Sequence, residues 1–342
     1  MLQDFPVKLY FLWNKNDSNI VGCGANLMKR GIFVISMPYK ETILDEIRKN
    51  RALYLFILPA FLSMLLFSYI PMAFLVSVFL DYNPIKGLLN SSFVGFENFR
   101  KAFVDRFFWQ AFRNNLYIKI WETFITYPVS IILALFLFET SKINKKITQT
   151  ATIFPYFISW IVIAAMFKNL LAPDGGLINE ILVNIFKIKP IPFLTSGRFF
   201  RWVIILQDPW KFAGYWAVIY HSAMLTIDNS LYEVATIDGA GRWRQMFFIT
   251  LPCIRTTLIT MFILLTGYIV IGPFDQVFAQ YSPLVYDYGD IIETYSYRLA
   301  FGQFKYSLAT AIGFFQAIIA TAIVLLANFI SNRIRKSQDR II

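Results

Sequence analysis

Asp208 and Lys211 stand three residues apart inside an apolar run from about Phe200 to Leu225, and they are the pair best placed to do chemistry. On a helix that spacing puts both on one face, where they can pair. Ionisable side chains at membrane depth are costly and mark functional sites by default. Two readings stay open: a polar lining for a solute path, shared with Phe212 and Tyr215, or a structural ion pair between helices. Covalent and phosphoryl chemistry find no support. The chain contains no Gly-x4-Gly-Lys-Ser/Thr phosphate loop, no His-Glu-x2-His and no Gly-x-Ser-x-Gly. Its single histidine, His221, cannot build a metal site unaided and reads as a packed or pore-side residue near a span end. Cys23 and Cys253 support neither a disulfide framework nor a metal cluster.

A second constellation is a polar hairpin, Glu233-Val-Ala235-Thr-Ile-Asp238-Gly239, followed after nine residues by Ile249-Thr-Leu251-Pro252. Asp228, Asn229 and Ser230 offer oxygen acceptors to cap a helix beginning near Leu231. Glu233 is then expected in the first turn, where the helix dipole favours an anion. Gly239 and Gly241 permit a sharp turn and close packing, and Pro252 marks a helix start or kink. Two short helices joined by such a turn form a rigid knob that can transmit a push to a partner. The plain alternative is an ordinary polar connection.

The elements that hold these residues must sit in lipid. Of 342 residues 57% are hydrophobic and only 15% charged, more apolar surface than a soluble chain of this length can hide. Uncharged runs predict six membrane helices at about 52–80, 116–138, 151–170, 200–225, 256–274 and 307–329, an all-α membrane protein. Residues 1–51 read as a cytoplasmic arm, with Glu41–Asn50 as a candidate interfacial helix. The transmembrane domain is expected over 52–332, the hairpin loop over 226–255, and a tail over 333–342. Arg48, Lys49, Arg51, Lys142, Lys145, Lys146, Arg242, Arg244, Arg255, Arg333, Arg335 and Lys336 then cluster on one side, which the positive-inside rule makes cytoplasmic, with both termini. The net charge of +11 is explained by this topology rather than by nucleic acid. Leu177, Ile178, Ile181, Leu182 and Ile185 recur at helical spacing and predict a surface helix between spans three and four.

The full spacing of the hairpin, with Ile249, Leu251 and Pro252, resembles the EAA loop of ABC importer permeases, Val234 replacing that pattern's first Ala. Lys49–Leu55, Phe93–Phe99, Ala172–Glu180, Tyr281–Tyr286 and Glu293–Arg298 extend the resemblance to sugar permeases of the LplB type. This resemblance implies a MetI-like core of six helices in the cell membrane, importing an oligosaccharide derived from a complex polysaccharide. It implies a second, similar permease, two ATPase subunits that supply ATP and Mg chemistry, and an extracytoplasmic substrate-binding protein. It makes Glu233, Ala235, Asp238, Gly239, Gly241, Leu251 and Pro252 the ATPase-coupling residues. Alignment on Glu233 places sugar contacts at about Asp208, Lys211, Phe212 and Tyr215. Tyr156, Ser159 and Trp160 in span three, with Tyr268 and Asp275 in or after span five, are further path candidates. Aromatic faces suit sugar rings, although Tyr and Trp are also ordinary residues of the membrane interface. The rival class is an ion-gradient-driven secondary sugar transporter, for which a single deep carboxylate, Asp208, is thin support.

Overall fold

A computed structural model describes residues 50–140 and 142–338, without the side chains of 142–145 and 330–338. Apart from Asn50 and Arg51, the expected arm and its interfacial helix lie outside the described residues. Packing divides the chain into Met1–Tyr69 and Ile70–Ile342. In the first unit, α1 (Arg51–Met64) carries Pro59 and has no buried residue. Leu55 and Phe56 stand open along it. An apolar helix of this kind needs lipid or another protein around it.

In the second unit a 3₁₀ run, Ala73–Phe79, leads into a small antiparallel hairpin, β1 (Leu80–Asp81) against β2 (Ser92–Phe93). This pairing departs from the purely helical expectation. It is held by Asn98 of α2 (Glu97–Val104), whose buried amide donates to the carbonyls of Val78 and Leu80 at 2.8 and 3.0 Å. Next comes α3 (Arg106–Glu139), N-capped by Asp105, which accepts from the Phe107 amide at 2.9 Å. The helix starts ten residues before the expected Leu116, and Phe108, Ala111 and Phe112 of this added stretch pack into a buried cluster.

The third expected span is not one straight helix. α4 (Lys142–Ile153) runs through a 3₁₀ turn at Phe154–Phe157, and α5 (Trp160–Leu170) leaves at 96° to it. Pro155 and the extended Ile158 and Ser159 break the ladder there. α6 (Leu177–Asn184) is the expected amphipathic helix. Its Asn179 is buried rather than surface-facing. That side chain donates to Leu171, Ala172 and Ile191 carbonyls and accepts from the Ile191 amide at 2.7 Å, closing the loop on itself.

α7 (Gly197–Met224) runs parallel to α3. Arg201 meets Asn114 at 2.6 Å, Thr126 meets Asp208 at 2.6 Å, and Tyr220 and Met224 pack with Ala134 and Leu137. Three buried clusters therefore sit one above another along α3, the outer two around Phe108 and around Leu137, with Ile118 between. In lipid such contacts hold by close packing and by hydrogen bonds between helices rather than by water exclusion. Gly214 shows how close the approach is, since a Cβ there would stand 2.0 Å from the Thr152 carbonyl of α4.

α8 (Asn229–Ile237) and α9 (Arg242–Gln245) follow as the expected helical hairpin. The chain then runs through a π turn at Met246–Thr250 and a short helix at Leu251–Cys253, bends by 66°, and continues as α10 (Arg255–Gly267). Helix stops at Gly267 rather than Phe274; α11 (Phe274–Phe278) and α12 (Ile292–Tyr297) are separate short pieces. α13 (Tyr306–Gln338) closes the bundle and continues as helix into the expected tail.

By length and composition three helical stretches can cross a membrane, Arg51–Phe79, Arg106–Glu139 and Tyr306–Phe329, and each bent pair can supply one more. α7 is long enough, yet Arg198, Arg201, Asp208 and Lys211 make it too polar to qualify on apolarity.

Candidate functional site

α7 carries the polar core, and its two central ionisable residues turn away from each other. They lie about 60° apart on a helical wheel, close enough to pair but equally able to diverge. Asp208 faces α3 and accepts from Thr126. Lys211 faces the α4–α5 corner, where its ammonium donates to the carbonyls of Tyr156 (2.9 Å) and Ile158. The two do not form the pair that their spacing allows: Thr126 holds Asp208 at α3, and the carbonyls of the broken corner hold Lys211. Lys211 is 5% exposed and ringed by Trp160, Phe212 and Tyr156, whose centroids lie 5.2, 5.6 and 5.9 Å from its nitrogen.

The candidate path residues fall into two cavities. A cleft of about 770 Å³ gathers Tyr156, Ser159, Trp160, Lys211 and Asp275, with Lys168 beside them. Tyr215 stacks on Tyr156 at 4.4 Å behind it. A smaller cavity of about 280 Å³ gathers Asp208, Phe212 and Tyr268 with Lys119, Glu122, Thr126 and Trp216. Phe212 belongs to both neighbourhoods, packing edge-on to Tyr156 at 5.8 Å while lining the smaller cavity.

Glu122 overturns the expectation that Asp208 is the only deep carboxylate. It lies near the middle of α3, 1% exposed, and pairs with Lys119 at 2.9 Å. Lys119 also acts electrostatically on Asp208, so one cation serves two carboxylates. The signal was in the sequence as an i, i+3 charge pair. A span drawn from Leu116 placed that pair in the entry turns rather than at depth. A buried amide set was also missed: Gln207, Gln276 and Gln280 bond one another at 2.9 to 3.2 Å and tie α7 to α11.

A third recess, about 500 Å³, lies among Asp105, Gln110, Tyr286, Asp290, Tyr295 and Arg298. Arg298 pairs with Asp290 at 2.5 Å and stacks over Tyr286 at 4.1 Å. Burial first, and then Asp105 accepting its hydroxyl proton, push Tyr295 up from the usual tyrosine value. The Tyr-rich segment 281–297 thus packs largely against its own neighbours.

The hairpin is pinned on one side and open on the other. Tyr232 bonds Thr250 at 2.9 Å, and Gln245 donates to Thr236 and to the Ala240 carbonyl, each at 3.0 Å. Leu231, Val234, Ile237 and Trp243 stand exposed. The cap is Asp228, accepting from the Ser230 amide at 3.0 Å, so α8 starts at Asn229 and Glu233 lies beyond its first turn. The expected dipole role of Glu233 is corrected accordingly. Asp228 accepts both hydrogen bonds from Ser230, which hold its carboxyl below the usual value. Gly239 has φ of +77°, a conformation most side chains resist. Gly241 has an ordinary φ, and among the described residues nothing stands where its Cβ would be, so no close packing there requires a glycine. Glu233, Asp238 and Pro252 are exposed and Ala235 half-buried, whereas Leu251 packs into the Tyr220 cluster as an anchor.

Long apolar helices enclosing buried charges and polar clefts, with a rigid polar knob at one bend, define a membrane permease. Residues 126–341 match the family described as the binding-protein-dependent transport system inner membrane component, and the chain belongs to it, as a permease subunit of an ABC importer. It is 37% identical over 295 residues to the polygalacturonan/rhamnogalacturonan transport system permease protein YteP of Bacillus subtilis, covering 86% of this chain and 92% of that one. It is 34% identical over 306 residues to protein LplB of the same organism, covering 89% and 96%. Among solved structures it resembles a chain of a bacterial ABC transporter involved in import of the acidic polysaccharide alginate. That match has a TM-score of 0.79 and 34% identity, and covers 86% of this chain and 99% of the other. A second structure of an alginate transporter, in complex with an alginate pentasaccharide-bound periplasmic protein, matches with a TM-score of 0.77 and 33% identity, over 86% and 98%. Such permeases are not themselves enzymes.

Proposed function

We propose that this permease carries an oligosaccharide derived from a complex polysaccharide, along a path lined by α7, the α4–α5 corner and the 267–278 segment. The observation that carries the reading is the hairpin. Polar ties hold its arms to each other and Leu251 anchors it in the Tyr220 cluster, while four apolar side chains stand exposed among the described residues. Such a surface suits a groove on a cytoplasmic ATPase subunit, with Glu233, Ala235, Asp238 and Gly239 in the contact. The names of the relatives support a polysaccharide-derived substrate. The reading includes six crossings with α7 as the fourth, both termini in the cytoplasm, a second permease completing the path, two ATPases holding ATP and Mg, and a binding protein outside. Family membership weighs against the ion-gradient alternative, even with Glu122 added to Asp208.

The test is recovery of the tagged protein from native membranes, followed by ATPase and uptake assays. A second permease and an ATPase are expected, with hydrolysis stimulated by an oligosaccharide and its binding protein. Glu233→Arg and Gly239→Val should each lower ATPase recovery or stimulation by at least roughly tenfold, as loss of a contact hot spot implies, while the subunit still inserts. Unchanged coupling in both variants would remove the hairpin from this role.

A further inference from the structure

We propose that Glu293 holds a proton at neutral pH and donates it in a hydrogen bond to Asn115, latching the break that ends the fifth crossing. Glu293 is thereby a positioning residue of the path, and its part in transport rests on the importer reading. After Gly267 the chain leaves the helix, and Tyr268, Ile271 and Gly272 of this irregular stretch line the smaller cavity. Irregular backbone at membrane depth needs protein or water to take its polar groups. Three elements do so here. Asn115 of α3 and Gln316 of α13 both donate to the Val270 carbonyl, at 2.8 and 2.6 Å, and Glu293 Oε1 of α12 accepts from the Gly272 amide at 2.6 Å. Gln316 also donates to Glu293 Oε1 at 2.5 Å, which closes the clasp.

Two oxygens of this clasp lack a donor. Glu293 Oε2 and Asn115 Oδ1 are buried, and among the described residues no N–H or O–H reaches either. A Cβ on Gly272 would stand 2.2 Å from both, so they lie no further apart than twice that distance. Turning the Asn115 amide over does not help, because its oxygen would then face the Val270 carbonyl. A proton on Glu293 Oε2 turns two acceptors into a donor and an acceptor, and every other bond of the clasp stays in place. The charges nearby agree. Lys119 of α3 is the charged side chain that acts on Glu293, while α13 offers the neutral Gln316 and the break offers backbone. Lys119 acts on Glu122 and Asp208 as well, three buried carboxyl groups to one cation, and it stands 2.9 Å from Glu122. Charging all three in that surrounding is costly. Burial, the largest influence, raises the Glu293 carboxyl above the usual glutamate value, against the lowering bonds from Gln316 and Gly272.

The experiment uses the complete importer. Infrared difference spectra across a pH titration are expected to show the carbonyl stretch of a protonated carboxyl that fades as the pH rises and is missing in Glu293→Gln. The glutamine places an N–H where the proton sits, so it keeps the latch at every pH. ATP-dependent uptake of a polygalacturonan digest by proteoliposomes should fall in the wild type as the pH rises through the Glu293 value, because the bound proton is lost there. Glu293→Gln should hold the wild type's acid-side rate across the same range. Glu293→Leu, which removes both oxygens, should be slower by at least roughly tenfold at every pH, as donors stranded in a buried site imply. A carboxyl band unchanged in Glu293→Gln, a glutamine variant as slow as the leucine one, or one that shares the wild type's alkaline fall overturns the proposal. Should Glu293→Leu fail to assemble, the wild type and Glu293→Gln decide between them. A band lost in Glu293→Gln, with no ATP-dependent uptake of any glycan, upholds the proton and removes the importer reading instead.

Discussion

Glu122 and Lys119 set the character of the bundle interior at the level of single side chains. Their 2.9 Å pair is almost closed to solvent on the glutamate side. Removing one partner from such a pair strands the other, whereas removing both is often nearly neutral. Lys119→Met alone should therefore lower stability by about 3–5 kcal/mol, and Lys119→Met combined with Glu122→Leu should recover part of it, Asp208 still lacking the cation. Thermal unfolding of the purified subunit in detergent decides this; a double variant no more stable than the single one would show that the pair is not the controlling contact. Asp208 was legible from sequence because it interrupts an apolar run. Its partner was not, because a three-residue spacing permits Lys211 and Asp208 to meet without requiring it. Thr126 and the corner carbonyls come from elements distant in sequence, and they decide the matter.

Among the elements, the α8–α9 hairpin followed the sequence closely, since caps and turn glycines act locally. Asp228, Asn229 and Ser230 were all eligible caps, and the bond from the Ser230 amide to Asp228 selects the first. The Asp228 carboxyl is held below its ordinary value by Ser230, so the charged cap stabilises α8 fully above the unfolded aspartate value, roughly pH 4. That contribution is lost as the pH falls through the lowered value. Amide protection over 229–233 should drop on acidification in the wild type and change little in Asp228→Asn, which keeps an acceptor without the charge. A wild type and variant with the same pH profile would exclude Asp228 as the titrating cap. The bend after Pro252 was legible as a helix start or kink, whereas the 96° corner was not. Pro155 and Pro252 were visible, but Pro59, Pro128 and Pro209 lie inside continuing helices, so proline alone does not say which helices break. The 96° corner depends on what receives its freed carbonyls, and that is Lys211.

For the whole molecule, the hydropathy runs fall on helical stretches whose bounds differ, α3 starting earlier and α10 ending sooner than expected, and α7 is a long helix that does not qualify as a span on apolarity. The orientation proposed above makes a direct prediction through Cys253, which is exposed at the end of the hairpin loop. In a Cys23→Ser background, a membrane-impermeant maleimide should label Cys253 in inside-out vesicles and leave it unlabelled in right-side-out cells. Labelling from outside would invert the topology and detach the hairpin from the cytoplasm. The α4–α5 corner also bears on how the protein is made. Bare carbonyls at membrane depth are tolerated only where protein or water satisfies them, and here the satisfying group is delivered by a residue more than fifty positions later in the chain. The α4–α5 corner is thus completed by α7, which follows it in the chain, so an intermediate that has formed the corner without α7 leaves the Tyr156 and Ile158 carbonyls without this donor.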